Sequence, residues 1–254
     1  MKTRLFLLCA LVGAILGADL PYVGKWKVNL AKSDFGQTTI TYQSLPGGEW
    51  QATGFGVTSK FKMDGKDYSD GMGGTTTWKA VGTNTWETVG KVNGKVTASD
   101  TLKLSADGKT LTDNSRQMKP DGGTMDSTTI FQRVSGGPGL GGKWQTKKVS
   151  GAAGIIEIAQ SGTDGLSFKD TDMGMTCDSK LDGNDYPCSG PMMPQGFTIA
   201  MKNASPRSLD VTVKKDGKPF VKATYTVAAD GKSMVETGGA VASTEKVKIT
   251  FERM

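Results

Sequence analysis

The chain of 254 residues carries 31 Lys and Arg against 25 Asp and Glu, a net charge of +6, with no histidine and 35 glycines. Without histidine there is no imidazole for acid–base work or for activating a thiol. The lysines are spread along the whole chain instead of clustering, which reads as a solvated surface and gives no basis for a nucleic-acid partner.

The opening, MKTRLFLLCALVGAILGADLP, places Lys2 and Arg4 before an apolar run from Leu5 to Ile15 and the small residues Gly17 and Ala18. That order is the order of a secretory signal peptide, and the run is short for a bilayer span. Residues 1–18 are therefore expected to be cleaved, leaving 29 basic residues against 25 acidic ones. Cys9 reads as an apolar-like residue of the removed segment. No second long apolar run follows, so the mature chain is expected to have no membrane span and to be exported, periplasmic or secreted.

From residue 24 onward the chain repeats itself. GKW at 24–26 returns at 142–144, FKMDGKDYS (61–69) returns as SKLDGNDYP (179–187), and VNGK (92–95) returns as KDGK (215–218). SADGKTL (105–111) then matches AADGKSM (228–234), and TIFQRV (129–134) matches ITFERM (249–254). Five landmarks in the same order indicate an internal duplication. The expected domains are 19–134 and 143–254, joined by a glycine-rich linker over 135–142 that forms no regular element.

Asp-Gly and Asn-Gly pairs punctuate each copy, at Asp64-Gly65, Asn93-Gly94, Asp107-Gly108 and Asp121-Gly122, then at Asp164-Gly165, Asp182-Gly183, Asp216-Gly217 and Asp230-Gly231. They supply the positive φ of tight hairpin turns. Between them run short alternating segments such as TWETVGKV and FVKATYTV, with only a short turn expected around Leu30–Phe35. The expected fold is all-β: two tandem antiparallel up-and-down β-barrels of about eight strands each. Cys177 and Cys188, eleven residues apart, are expected to form a disulfide in an exported chain.

GKWKVNLAKSDF resembles the first-strand signature of the lipocalin and fatty-acid-binding-protein superfamily, and more closely that of bacterial exported lipocalin-like domains. The second copy lacks the continuation NxxKSxF. The resemblance implies a barrel in which a last-strand arginine packs across the first-strand tryptophan. Strand parity agrees: in VKITFER, Arg253 shares the face of Val247, Ile249 and Phe251, and Arg133 shares that of Phe131. Trp26–Arg133 and Trp144–Arg253 are the expected closing pairs, each within its own copy.

Comparing inward positions gives Gly74, Thr76, Trp78, Trp86, Thr88, Gly90, Asp100 and Leu102 in the first copy. The second has Phe197, Ile199, Met201, Leu209, Val211, Val213, Ala223 and Tyr225 at the same places. The second interior reads as filled with aliphatics and the first as a pocket of aromatic walls with polar groups, so Trp78, Trp86, Thr88, Asp100 and Leu102 are the candidate ligand residues. Asp100 needs a partner there: a neighbouring side chain, water or a ligand, unless a bulge turns it outward.

Met173, Met175, Met192 and Met193 lie in one segment with the two cysteines and raise Cu(I) as an option, against the ordinary role of methionine as a gap filler. Asp170, Asp172, Asp178, Asp182 and Asp185 match no EF-hand spacing. No metal or cofactor is expected. No nucleophile elbow or phosphate loop occurs, and a carboxylate pair such as Asp100 with Asp113 is the only acid–base arrangement in view, so the protein is expected not to be an enzyme. The expected function is binding of a small, partly apolar or amphipathic molecule in the first barrel. The alternative is a structural or surface-interaction protein with both barrels filled. Nothing in the sequence identifies a protein partner.

Overall fold

A computed structural model describes residues 20–243 and 246–254. The cleaved leader expected over residues 1–18, with Cys9, lies outside the described residues. Regular structure among the described residues is twenty strands and two 3-10 turns, at Leu30–Lys32 and Pro46–Gly48. The first ten strands are β1 (Gly24–Val28), β2 (Thr39–Ser44), β3 (Glu49–Gly54), β4 (Val57–Lys62), β5 (Tyr68–Ser69), β6 (Thr75–Gly82), β7 (Thr85–Val92), β8 (Lys95–Leu104), β9 (Thr110–Met118) and β10 (Thr124–Ser135). Then come β11 (Gly142–Gly151), β12 (Ile155–Ser161), β13 (Gly165–Asp170), β14 (Met175–Lys180), β15 (Tyr186–Ser189), β16 (Phe197–Ser205), β17 (Ser208–Lys215), β18 (Lys218–Val227), β19 (Ser233–Ala240) and β20 (Val247–Arg253). No helix among the described residues is long and apolar enough to cross a membrane.

The strands form two antiparallel ten-stranded sheets, one closed into a barrel and the other nearly so. Ten strands replace the expected eight in each. Two of the turns in residues 39–62, at Pro46–Gly48 and Phe55-Gly56, lack the Asp-Gly or Asn-Gly mark, and β5 and β15 are short strands just after Asp-Gly bends. In those bends Asp64 accepts from the Lys66 amide at 3.1 Å and the Tyr68 hydroxyl at 3.0 Å; Asp182 accepts from the Asn184 amide and the Tyr186 hydroxyl, both at 2.9 Å. The repeated DGxDY segment is thus a self-bonded corner. Of the eight dipeptides, only Asn93-Gly94 and Asp216-Gly217 have positive φ at both residues, the pattern of the tightest hairpin turn.

Strand pairing does not follow the two halves of the sequence. β11, the first strand of the second copy, sits between β10 and β2, while β1, the first strand of the first copy, sits between β20 and β12. Each copy lends its opening strand to the other barrel. One sheet therefore holds β2–β11, and the closed barrel holds β12–β20 plus β1. The cause is the connection between β10 and β11. With so few residues between them, antiparallel strands pair directly as a hairpin. The run over 135–142 is this hairpin loop, not a spacer between independent halves. β1 then occupies the remaining seam, and NLAKS beyond it crosses over β20: the Ser33 hydroxyl accepts from the Thr250 amide at 2.9 Å and Lys32 pairs with Glu252 at 2.9 Å. The second copy has no such crossing, because β11 continues there as strand, and it has no NxxKSxF.

The closing arginines are exchanged with the strands, which corrects both expected pairs. Arg133 lies over Trp144 at 4.0 Å from the ring centroid, and Arg253 lies over Trp26 at 4.2 Å. Both tryptophans are fully buried. Each guanidinium also donates to three carbonyls: Arg133 to Gly108, Gly139 and Gly141 at 2.6–2.7 Å, and Arg253 to Gly231, Val23 and Pro21 at 2.6–2.8 Å. The indole N–H groups of Trp144 and Trp26 donate to Leu140 and Tyr22 at 2.9 and 2.8 Å. The glycine of Gly-Lys-Trp makes room for this. A Cβ on Gly24 would stand 2.5 Å from Arg253 Nη1, one on Gly142 2.9 Å from Arg133 Nη1, and both have positive φ.

Cys177 and Cys188 face each other across β14 and β15 and are joined as a disulfide. Closing a loop of this length restricts the unfolded chain by roughly 2–3 kcal/mol. Cys177→Ser with Cys188→Ser is expected to lower urea-unfolding stability by about that amount without changing the far-ultraviolet spectrum; unchanged stability would show that the bridge constrains little.

Candidate functional site

In the first sheet the candidate residues point inward. Trp78, Trp86, Thr88 and Leu102 are all buried. They pack among other rings: Phe61 stacks on Trp78 at 4.4 Å and Tyr42 meets it edge-on at 5.7 Å. Asp100 accepts from the Thr88 hydroxyl at 2.7 Å, so its partner is a neighbouring side chain. Across β8 and β9, Asp100 is opposite Ser115 and Asp113 is opposite Leu102, so the two carboxyls are diagonal neighbours on one face. Burial, and then the charge of Asp100, push the Asp113 carboxyl up to about 7, and its Oδ1 is buried without a hydrogen bond. Tyr42 is raised by burial and by both carboxyls.

The closed barrel holds a partly open cavity of about 290 Å³. Its walls are alternate residues of several strands, including Ile199 of β16, Val211 and Val213 of β17, and Val221 and Ala223 of β18. These are short or β-branched side chains. They line the space where the rings of the other barrel fill it. Three polar side chains enter: Asp170, Tyr225 and Glu236. Glu236 of β19 is directly opposite Tyr225 of β18, and the two side chains act on each other electrostatically. Asp170, at the end of β13, accepts from the Asp172 and Met173 amides at 3.0 and 3.1 Å. Burial raises both carboxyls, opposed at Asp170 by these amides and at Glu236 by Tyr225, and raises the Tyr225 hydroxyl, reinforced by Glu236.

The cavity shares Met175, Val213 and Val221 with an apolar groove of about 370 Å³ that receives residues from both sheets. Six methionines line the groove: Met72 and Met118 from the first sheet, with Met173, Met175, Met192 and Met193 from the second. The last four are those noted in the sequence, and the fold adds the other two. At its edge Lys119 pairs with Asp172 at 2.7 Å, tying the sheets together, while Asp172 also accepts from the Ile155 amide at 3.0 Å. A larger groove of about 690 Å³ runs between the barrels past Thr39, Phe55, Lys143 and Glu236. Neither Trp78 nor Trp86 lines any of these spaces.

Sequence reasoning passed over Glu236 and assigned Asp170 only to a charge-rich hairpin. The available signal was parity: Leu166, Phe168 and Asp170 share one face, as do Met234, Glu236 and Gly238. Among the described residues no group of three or more Cys, Asp or Glu is arranged to hold a metal ion. No protein-family model, curated protein or solved structure matches this chain.

Proposed function

We propose that this chain is an exported, non-catalytic, lipocalin-like protein that binds a small, partly apolar molecule, and that the closed barrel completed by β1 is where it binds. The observation that carries the reading is the largely apolar cavity of about 290 Å³, which shares wall residues with the methionine-lined groove. Concave apolar space with a few polar groups suits small-molecule binding, and methionine side chains adapt to varied apolar shapes beside it. The disulfide fits an oxidising, exported setting. The first sheet, with Trp78 sandwiched by other rings, serves as a rigid companion that supplies one wall of the groove.

The neutral fluorophore N-phenyl-1-naphthylamine tests this. It is expected to brighten on binding the wild-type protein. Val213→Trp, which fills the junction of cavity and groove, is expected to weaken binding by at least about tenfold, while Trp86→Phe leaves it unchanged. Unaltered binding in a folded Val213→Trp protein, or loss in Trp86→Phe, would move the site to the first barrel or to the surface.

A further inference from the structure

The closed barrel treats its carboxyls unequally. Asp172 has the Lys119 ammonium at 2.7 Å. Asp170 and Glu236, which line the cavity, form no ion pair with any lysine or arginine among the described residues. Asp170 accepts from two backbone amides, and Glu236 is the cross-strand neighbour of Tyr225. Asp170, Tyr225 and Glu236 line the same cavity, and the charges of both carboxyls act on the Tyr225 hydroxyl. Every other side chain on the cavity wall is apolar, or is the hydrogen of Gly154.

A carboxylate in such surroundings costs free energy unless a cation meets it; the Lys119 ammonium, paired with Asp172, acts on Asp170 only from beyond ion-pair distance, and no lysine or arginine among the described residues pairs with Glu236. A ligand with an apolar body would cover the Val, Ile and Phe walls, and a positively charged head would complete the carboxyls with short charge-assisted hydrogen bonds. A fatty acid would add a third acidic group to the same space, and an alcohol would leave both carboxylates uncompensated. We infer that the cavity selects a hydrophobic amine, an alkyl or aryl chain ending in an ammonium group, held by Glu236 and Asp170 with its tail toward the methionine-lined groove. The inference rests on the closed barrel being the binding site and adds the chemical class of its ligand.

The test is displacement of N-phenyl-1-naphthylamine from the full-length protein at neutral pH by octylamine, octanol and octanoic acid, three probes with one tail and three heads. Octylamine is expected to compete about tenfold better than octanol, and octanoic acid worst of all. Glu236→Gln keeps shape and hydrogen-bonding capacity and is expected to erase that preference while leaving octanol unchanged. Asp170→Asn provides the same comparison should Glu236→Gln fail to fold, as judged by its melting curve. Equal competition by the three compounds, or an amine preference that survives in both variants, would overturn the head-group assignment while the apolar site stood. Failure of the fluorophore to bind the wild-type protein would overturn both.

Discussion

Replacing Trp26 with alanine is expected to destabilise the barrel built from the other end of the sequence. Trp26 is fully buried, belongs to the first copy, and is covered by Arg253. Deleting a buried indole costs about 3–5 kcal/mol through lost burial and the cavity left behind. Here the loss extends to the contact with the guanidinium, on the order of 1 kcal/mol. Amide hydrogen exchange should therefore accelerate in β12–β20 and stay slow in β3–β9. Trp144→Ala should give the converse pattern, with β2–β10 loosened. Two barrels built each from its own copy would give the opposite assignment, so the location of the faster exchange decides the strand pairing independently of the size of the effect.

The second large effect is a pH dependence in the other sheet. Burial, with Asp100 beside it, raises the Asp113 carboxyl from 3.8 to about 7. Below about pH 3 the group is protonated whether the chain is folded or not. As pH rises towards 7 the unfolded chain releases the proton and the folded chain holds it, so stability falls through this window and levels off above it. At about 1.4 kcal/mol per pKa unit the loss is bounded by roughly 4 kcal/mol, and partial exposure brings it to the order of 2 kcal/mol. Asp113→Asn is expected to melt with the wild type near about pH 3 and several degrees above it near about pH 8. A wild-type melting temperature that does not fall between those values would show that Asp113 titrates normally.

Much of the architecture was legible in the residues. Period-two alternation and Asp-Gly turns gave the strands, the family resemblance implied a guanidinium over a first-strand ring and the parity of Phe251 and Arg253 agreed, and two cysteines eleven residues apart in an exported chain gave the disulfide. Which ring each arginine covers was not legible. GKWKV and GKWQT have almost the same local chemistry, so either can fill either seam, and the short loop between Ser135 and Gly142 decides. Where open space lies was not legible for a related reason. Parity shows which side chains point inward but not whether they fill or line the interior. Phe61 and Tyr42 close over Trp78, whereas Val211, Val213 and Ala223 leave space.

The exchanged opening strands also constrain how such a chain can be assembled or divided. A single copy keeping the same pairing would have an unfilled seam next to its last strand and would close only against a second molecule, each lending its opening strand under two-fold symmetry. Its folding would then depend on protein concentration. Placing both copies in one polypeptide makes the exchange intramolecular, replacing bulk concentration by the much higher effective concentration of a tethered partner. A cut within the loop over 135–142, where the two sequence repeats meet, separates both barrels from a strand they need. A cut near Ala152–Gly154 leaves β2–β11 with every strand of its sheet, and leaves the closed barrel lacking only β1.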